Sequence, residues 1–199
     1  MIWNLIFINI LICSWSYSNT SEENIYFDVV HNTKVIGSLK ATKIIKNSQT
    51  IYKSSTTIKT RIIKDICVNY KYNVIFKDAF LETSNVHITI NDKSHTKTLT
   101  EWKDAKYQII KNEKKRKTFK DSISYSTVQL YFNEPINIKS CYSEQDGSFN
   151  TIVAMGNYTY KKVNSKGKEN MYFYKKGILK KAIIDGGAIK FKIIARNTN

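Results

Sequence analysis

The stretch ICVNYKYNVIF, residues 66–76, decides the fold class. Its even positions carry apolar or aromatic side chains, and positions 69, 71 and 73 between them carry asparagine or lysine. Apolar residues at every second position place one face of an extended strand against a core and the other face in water, whereas an amphipathic helix repeats every three to four residues. The stretch therefore predicts a half-buried antiparallel strand.

The residues after this strand repeat its pattern. The turn Lys77-Asp78-Ala79 leads into a second alternating run, and the two runs predict a long hairpin. The side chains that this second run places on one face are Phe80, Val86, Ile88 and Ile90. Comparable runs, separated by Asn, Asp and Gly turns, fill residues 25–62, 95–119 and 138–195.

One segment has a different pattern. Ser124–Phe132 has a serine cap at its start and Pro135 just after its end, so it predicts one short helix near residues 124–132. So many consecutive strands would expose broad apolar faces if the sheet were flat. The sequence therefore predicts an all-β domain in which a long antiparallel meander curls into a half-barrel or open barrel.

The first residues are typical of an export signal. Residues 2–13 are almost wholly apolar, and Ser16 and Ser18 supply the small-x-small pattern that signal peptidase accepts. We expect a signal peptide at residues 1–18 and a single β domain at residues 19–199, exported to the periplasm or the extracellular space. Cleavage there leaves Cys67 and Cys141, whose spacing does not decide whether they form a disulfide.

The net charge of +16 comes from 32 basic and 16 acidic residues. Its densest run includes Lys114, Lys115, Arg116 and Lys117. Two interpretations stay open: the run binds anionic lipid or polysaccharide, or it is a solvated hairpin whose charges protect a sheet edge. Only three of the 32 basic residues are arginines, and arginine is the residue best suited to bidentate phosphate recognition, so we expect no specific nucleic-acid binding.

Residues that bind metals or catalyse reactions are sparse. His87, Asp92 and His95 lie on one predicted hairpin, but their spacing matches no established metal site, so we expect surface histidines and neither a metal nor a cofactor. The motifs of serine hydrolases, zinc proteases and nucleotide-binding loops do not occur in the sequence. Glu134 and Glu144 remain as an alternative, the carboxylate pair of a glycoside hydrolase.

Three longer segments carry a resemblance to a protein family. They are STVQLYFNEP at 126–135, SEQDGSF at 143–149 and YFYKKGILKKA at 172–182. Together with the apolar leader and the paired strands, they make the chain similar to small exported proteins of Bacteroidota that form an uncharacterised domain family. This resemblance covers residues 24–195, and it implies an all-β exported protein of unassigned activity, similar in outline to the curved half-barrels of lipoprotein carriers.

The aromatic face of residues 66–76 is the remaining candidate site. Tyr70, Tyr72 and Phe76 line a cavity for an apolar ligand if the curved sheet is not filled by its own side chains, and they belong to an ordinary packed core if it is. We therefore predict a non-enzymatic exported protein that binds an apolar ligand or a cell-envelope partner. The alternatives are a surface module that binds anionic lipid or polysaccharide, and a hydrolase that uses the two glutamates.

Overall fold

The computed structural model of the chain describes residues 20–61, 65–187 and 189–196. Fourteen strands make up most of this part: β1 (Thr20–His31), β2 (Lys34–Lys46), β3 (Gln49–Arg61), β4 (Asp65–Lys77), β5 (Phe80–Ile90), β6 (Lys93–Lys103), β7 (Lys106–Lys111), β8 (Lys115–Phe119), β9 (Ser140–Ser143), β10 (Ser148–Gly156), β11 (Thr159–Val163), β12 (Glu169–Lys175), β13 (Ile178–Asp185) and β14 (Lys190–Ala195). The predicted signal peptide, residues 1–18, lies outside the described residues.

The strands form one antiparallel sheet in the order β8-β7-β6-β5-β4-β3-β2-β1-β14-β13-β12-β11-β10-β9. Within β1–β8 and within β9–β14, each strand pairs with the next strand in the sequence. Strand β1 also pairs with β14, and this pairing joins the two halves of the chain. Many of the connecting turns have two central residues with positive φ, as at Asp78-Ala79, where φ is 48° and 68°. Such turns match the right-handed twist of the strands that they join. The predicted long antiparallel meander is confirmed.

Strand β4 shows why the alternating pattern predicts this fold. Val74 and Phe76 are buried on its inner face, whereas Lys71 and Asn73 on its outer face are exposed. The inner faces of other strands contribute to the same hydrophobic core, which includes Phe27, Leu39, Tyr52, Leu179 and Ile193. A sheet whose apolar residues lie on one face has to cover that face with other elements or curl around it.

The chain between β8 and β9 fills the inside of the curled sheet, and we call residues 120–139 the plug. The plug contains a short 3-10 helix, Thr127–Tyr131, that packs against both β3 and β13, although three other strands separate these two in the sheet. Leu130 of the plug is completely buried. The Tyr174 hydroxyl donates a hydrogen bond of 2.7 Å to the Leu130 carbonyl oxygen, so the plug is bonded to the strands as well as packed against them.

The predicted short helix lies at the expected place, but it is one 3-10 turn rather than an α-helix. The β-branched residues Thr127 and Val128 at its start lower the propensity for an α-helix. The backbone of the plug also finds hydrogen-bond partners outside itself, because the Val128 N–H donates to the Glu144 carboxylate at 3.0 Å. A longer helix is therefore not needed to satisfy these buried groups.

The two edges of the sheet approach each other through side chains. Thr98 Oγ1 and Lys111 Nζ each donate a hydrogen bond of 2.9 Å to the Gln145 carbonyl oxygen in the β9–β10 turn. The hydroxyls of Thr100 and Tyr142 lie 2.7 Å apart. Since no backbone ladder joins β8 to β9 in the described part of the chain, the barrel stays open, as the sequence predicts.

Two further observations concern helix length and the cysteines. Among the residues that the structure describes, no helix combines the length and the apolar character that a membrane span requires. Cys67 in β4 and Cys141 in β9 are both free thiols.

Candidate functional site: an aromatic cleft at one end of the sheet

The three aromatic residues predicted to contact a ligand lie on the inner face of β4 at different depths. Phe76 is buried in the core, and its ring meets the Tyr52 ring edge-on with 5.8 Å between centroids. Tyr70 and Tyr72 are half-buried, and the Tyr72 hydroxyl donates a hydrogen bond of 3.2 Å to Gln145 Oε1. Phe76 meets a ligand only if the core opens, and ligand contact by all three residues stays a prediction.

The two glutamates of the hydrolase alternative lie in different surroundings. Glu144 is completely buried; its Oε1 accepts the hydrogen bond from Val128, and its Oε2 has no hydrogen-bond partner. Glu134 is half-buried and accepts a hydrogen bond of 2.7 Å from the Tyr160 hydroxyl. A glycoside hydrolase needs both carboxyl groups to face one sugar bond, and a sugar in solvent does not reach Glu144 in this conformation.

Glu144 lies in a polar cluster between the plug and the strands. Burial raises the pKa of the Glu144 carboxyl, and the Val128 hydrogen bond and the Lys162 charge partly oppose this rise. Lys162 is itself buried, and its Nζ donates a hydrogen bond of 3.4 Å to Thr127 Oγ1. Burial also raises the pKa of the Cys141 thiol to about 12. This thiol is therefore protonated and unreactive at neutral pH, and the cluster serves to attach the plug to the sheet.

The basic run occupies one edge of the sheet. Lys114 lies in the β7–β8 turn, and Arg116 and Lys117 are exposed on β8, which is an edge strand. The side chain of Lys115 lies outside the described part of the structure. Charged side chains on an edge strand resist pairing with another sheet, so this placement fits the edge-protecting interpretation. Binding of an anionic surface by these residues stays a prediction.

The histidines make ordinary polar contacts or face solvent. His31 Nδ1 lies 2.7 Å from the Lys190 carbonyl oxygen, and His87 Nε2 lies 3.3 Å from Ser94 Oγ. His95 is exposed. Within the described residues, no group of three or more His, Cys, Asp or Glu side chains has the arrangement of a metal site.

A cleft of about 460 Å³ lies between the β4–β5 turn and the β6–β7 turn, and we call it the aromatic cleft. Its apolar lining consists of Phe80, Leu81, Trp102 and Tyr107. Phe80 and Trp102 are 49% and 46% exposed, whereas Leu81 and Tyr107 are buried beneath them. The volume falls within the range of small-molecule sites, which is about 300–1,000 Å³.

Hydrogen bonds to the plug fix the floor of the aromatic cleft. The Tyr107 hydroxyl donates to the Leu81 carbonyl oxygen at 2.7 Å, and the Leu81 N–H donates to the Ile123 carbonyl oxygen at 2.8 Å. The Trp102 ring packs on Tyr107 with 4.8 Å between centroids. The floor is therefore rigid, while the two exposed rings above it are free to meet a ligand.

A β-bulge explains why Phe80 faces the aromatic cleft. The prediction that Phe80 shares the inner face with Val86 is wrong, because the pairing of β4 with β5 shifts by one residue near the turn, so that Phe76 pairs with Leu81. A shift of one residue exchanges the two faces of the strand beyond it. Leu81 consequently enters the core, and Phe80 turns outward beside Trp102.

Polar groups surround the mouth of the aromatic cleft. Lys77, Asp78, Glu82 and Ser122 contribute to its lining. An apolar floor with a few polar groups at its mouth suits a ligand whose body is apolar and whose one end is polar. The sequence carries a single signal for this site: Trp102 is the only tryptophan outside residues 1–18, and it directly precedes a turn.

Comparison with known proteins places this fold in a family. The model of the family described as Domain of unknown function (DUF6134) matches residues 27–196. The chain is also similar to the crystal structure of a beta-barrel-like protein of domain of unknown function DUF1849 from Brucella abortus, with a TM-score of 0.50 and 10% sequence identity. That match covers 87% of this chain and 95% of the other, and it shows a shared fold. The curated proteins gave no match.

Proposed function

This chain belongs to the family described as Domain of unknown function (DUF6134), and we propose that it is an exported, non-enzymatic protein that binds an apolar ligand in the aromatic cleft. The family match confirms the predicted uncharacterised all-β family, while the Bacteroidota origin stays a prediction. The observation that carries the proposal is the pair of half-exposed rings, Phe80 and Trp102, above a rigid apolar floor.

Energetic reasoning supports a ligand at this place. A single exposed aromatic residue is ordinary on a protein surface, but several apolar side chains that line one concave site are typical of a binding site. Each Å² of apolar surface that a ligand covers contributes about 25 cal/mol. The cost of ordering the site is small, because Leu81 and Tyr107 are already held by hydrogen bonds to each other and to the plug.

The residues of the aromatic cleft support binding rather than catalysis. Ser122 is the only hydroxyl nucleophile of the serine or threonine type in its lining, and the lining contains no histidine or cysteine to act with it. Glu144, the glutamate of the hydrolase alternative, is buried elsewhere. The apolar leader at residues 2–13 supports export.

Mass spectrometry of extracts from the purified native protein tests this function. We expect the parent protein to carry a co-purified apolar molecule, and we expect the double substitution Phe80→Ser and Trp102→Ser to remove it. Tyr158→Ser, which changes an exposed aromatic residue in the β10–β11 turn, is the matched control and should leave the molecule bound. Equal amounts of the molecule on all three proteins would contradict the proposal.

A further inference from the structure

Six of the twelve large apolar side chains that are exposed in the described part of the chain lie at one end of the sheet. In an antiparallel meander, alternate turns lie at opposite ends, and the turns β2–β3, β4–β5, β6–β7, β10–β11 and β12–β13 share one end. We call these five turns, with the strand ends beside them, the apolar rim. Its exposed large apolar side chains are Ile45, Phe80, Trp102, Met155, Tyr158 and Ile178.

The opposite end differs in this respect. Among its described residues, the exposed large apolar side chains are Val35, beside the β1–β2 turn, and Phe149, beside the β9–β10 turn. Phe149 packs against the rings of Phe119 and Tyr142 at 5.5 and 5.6 Å between centroids. The other four exposed large apolar side chains, Tyr26, Ile136, Val153 and Ile194, lie within strands or in the plug. The apolar rim therefore holds more of these side chains than the opposite end does.

The apolar rim is also basic. Its five turns, residues 46–49, 77–80, 103–106, 155–158 and 175–178, contain six lysines and two aspartates. Lys175 and Lys176 are exposed directly beside Ile178. The β12–β13 turn that holds them adjoins the β10–β11 turn, because Thr159 pairs with Phe173.

The β10–β11 turn presents its aromatic residue at a cost in backbone energy. Tyr158 has φ of 55° in the second central position of the turn, where glycine is favoured, and its side chain is 65% exposed. A bulky residue in the left-handed region is strained. Thr33 in the β1–β2 turn at the opposite end adopts the same conformation, so the exposure of the Tyr158 ring is what distinguishes this turn. Met155 on the same hairpin is 52% exposed.

We propose that the apolar rim docks on a lipid bilayer that contains anionic lipids, with Met155, Tyr158 and Ile178 entering the interface. Tyrosine is enriched at membrane interfaces because one end of its ring is apolar and the other is polar. Lysines beside the inserted side chains attract the negative headgroups. Lysine is depleted in the contact surfaces between proteins, so its presence between the apolar side chains favours a bilayer over a protein partner.

This docking goes beyond the proposed function, and its failure is distinguishable from a failure of ligand binding. Met155, Tyr158 and Ile178 are not among the residues that line the aromatic cleft. The aromatic cleft nevertheless opens in the same rim, since Phe80 and Trp102 belong to both. A bilayer-bound protein would therefore hold the mouth of its ligand site at the membrane surface.

Co-sedimentation of the full chain with vesicles tests the docking. We expect it to bind vesicles of phosphatidylcholine and phosphatidylserine in a 3:1 ratio. The triple substitution Met155→Ser, Tyr158→Ser and Ile178→Ser should lower the partition coefficient by about a hundredfold, at roughly fivefold for each partly inserted side chain. Val35→Ser is the matched control at the opposite end, because Val35 is 63% exposed, and it should change binding less than twofold.

A second experiment tests the contribution of charge by replacing two lysines at each end of the sheet. Replacing Lys175 and Lys176 by glutamine should weaken binding to the anionic vesicles by roughly 25-fold, since each lysine near such a surface contributes about fivefold, with little effect on pure phosphatidylcholine. The same replacement of Lys34 and Lys93, which are exposed directly after the β1–β2 and β5–β6 turns at the opposite end, should have a much smaller effect.

Fluorescence quenching shows which residue contacts the lipid, even if one of the other variants folds poorly. A full chain carrying Tyr158→Trp, with Trp3, Trp15 and Trp102 replaced by phenylalanine, should lose emission on vesicles of brominated lipid. The proposal is overturned if the triple variant binds as tightly as the parent, if the tryptophan at 158 is not quenched, or if the Lys34 and Lys93 replacement has the larger effect. Failure of the parent chain to bind vesicles also overturns the proposal, and a protein partner would then be the remaining candidate to cover the apolar rim.

Discussion

Leu130→Ala tests whether the plug is an integral part of the hydrophobic core. Leu130 is completely buried in the 3-10 helix, which contacts β3, β9 and β13. The surrounding strands are held by backbone ladders, so they close only in part around the cavity that the smaller side chain leaves. Replacement of a buried leucine by alanine in such a site costs about 3 kcal/mol of unfolding free energy. For a domain of this size, that loss lowers Tm by about 6–12 °C.

Guanidinium denaturation and scanning calorimetry measure this change directly. The matched control is Leu99→Ala, because Leu99 is half-buried on the outer face of β6, and it should cost less than about 1 kcal/mol. The slope of unfolding free energy against denaturant should stay the same in both variants, since the same surface is exposed on unfolding. A loss below 1 kcal/mol for Leu130→Ala, or an equal loss for both variants, would refute the reasoning that the plug is packed as core.

Three further predictions concern a buried carboxyl group, a turn glycine and the two cysteines. The unfolding free energy should fall as pH rises from about 4.3, the ordinary glutamate pKa, towards the raised folded-state pKa of Glu144, since the folded state binds the proton more tightly. Glu144→Gln should remove this fall in denaturation curves at pH 4.5 and 8. Gly147→Ala should cost about 1–3 kcal/mol of stability in the same assay, because φ is +62° there and the added Cβ would lie 2.6 Å from Ile109 Cγ2. In the folded protein, a thiol reagent should label the half-buried Cys67 much faster than Cys141, whose pKa is raised by burial to about 12, and both should react in denaturant; equal native rates would contradict the assigned burial.

Local sequence patterns predict most of the sheet, because the alternation of apolar and polar residues within a segment is enough to identify that segment as a strand. Residues 66–76 predict β4, and the structure places that strand at Asp65–Lys77. Turn residues such as Asp78 and Asn91 adopt positive φ, as their side chains readily allow. The serine cap and the proline after residue 132 correctly locate the 3-10 turn, although its type depends on contacts with distant strands.

The aromatic cleft and the apolar rim depend on relationships that no single segment contains. Phe80 and Leu81 are both apolar, and only the bulge in the pairing with β4 decides which of them enters the core. The exposure of Trp102 depends on its place at the end of β6 beside another hairpin. Glu144 is buried because the plug covers it, and a glutamate before a turn gives no local sign of such burial.

Quenching of Trp102 by a brominated fatty acid tests ligand binding in the aromatic cleft most directly. The full chain with Trp3→Phe and Trp15→Phe keeps Trp102 as its only tryptophan. We expect 9,10-dibromostearate to quench its emission saturably, stearate to compete with that quenching, and Phe80→Ser to weaken it, while Met155→Ser leaves it unchanged. Quenching that rises linearly without saturation, or that stearate does not reverse, would contradict an apolar ligand site at Trp102.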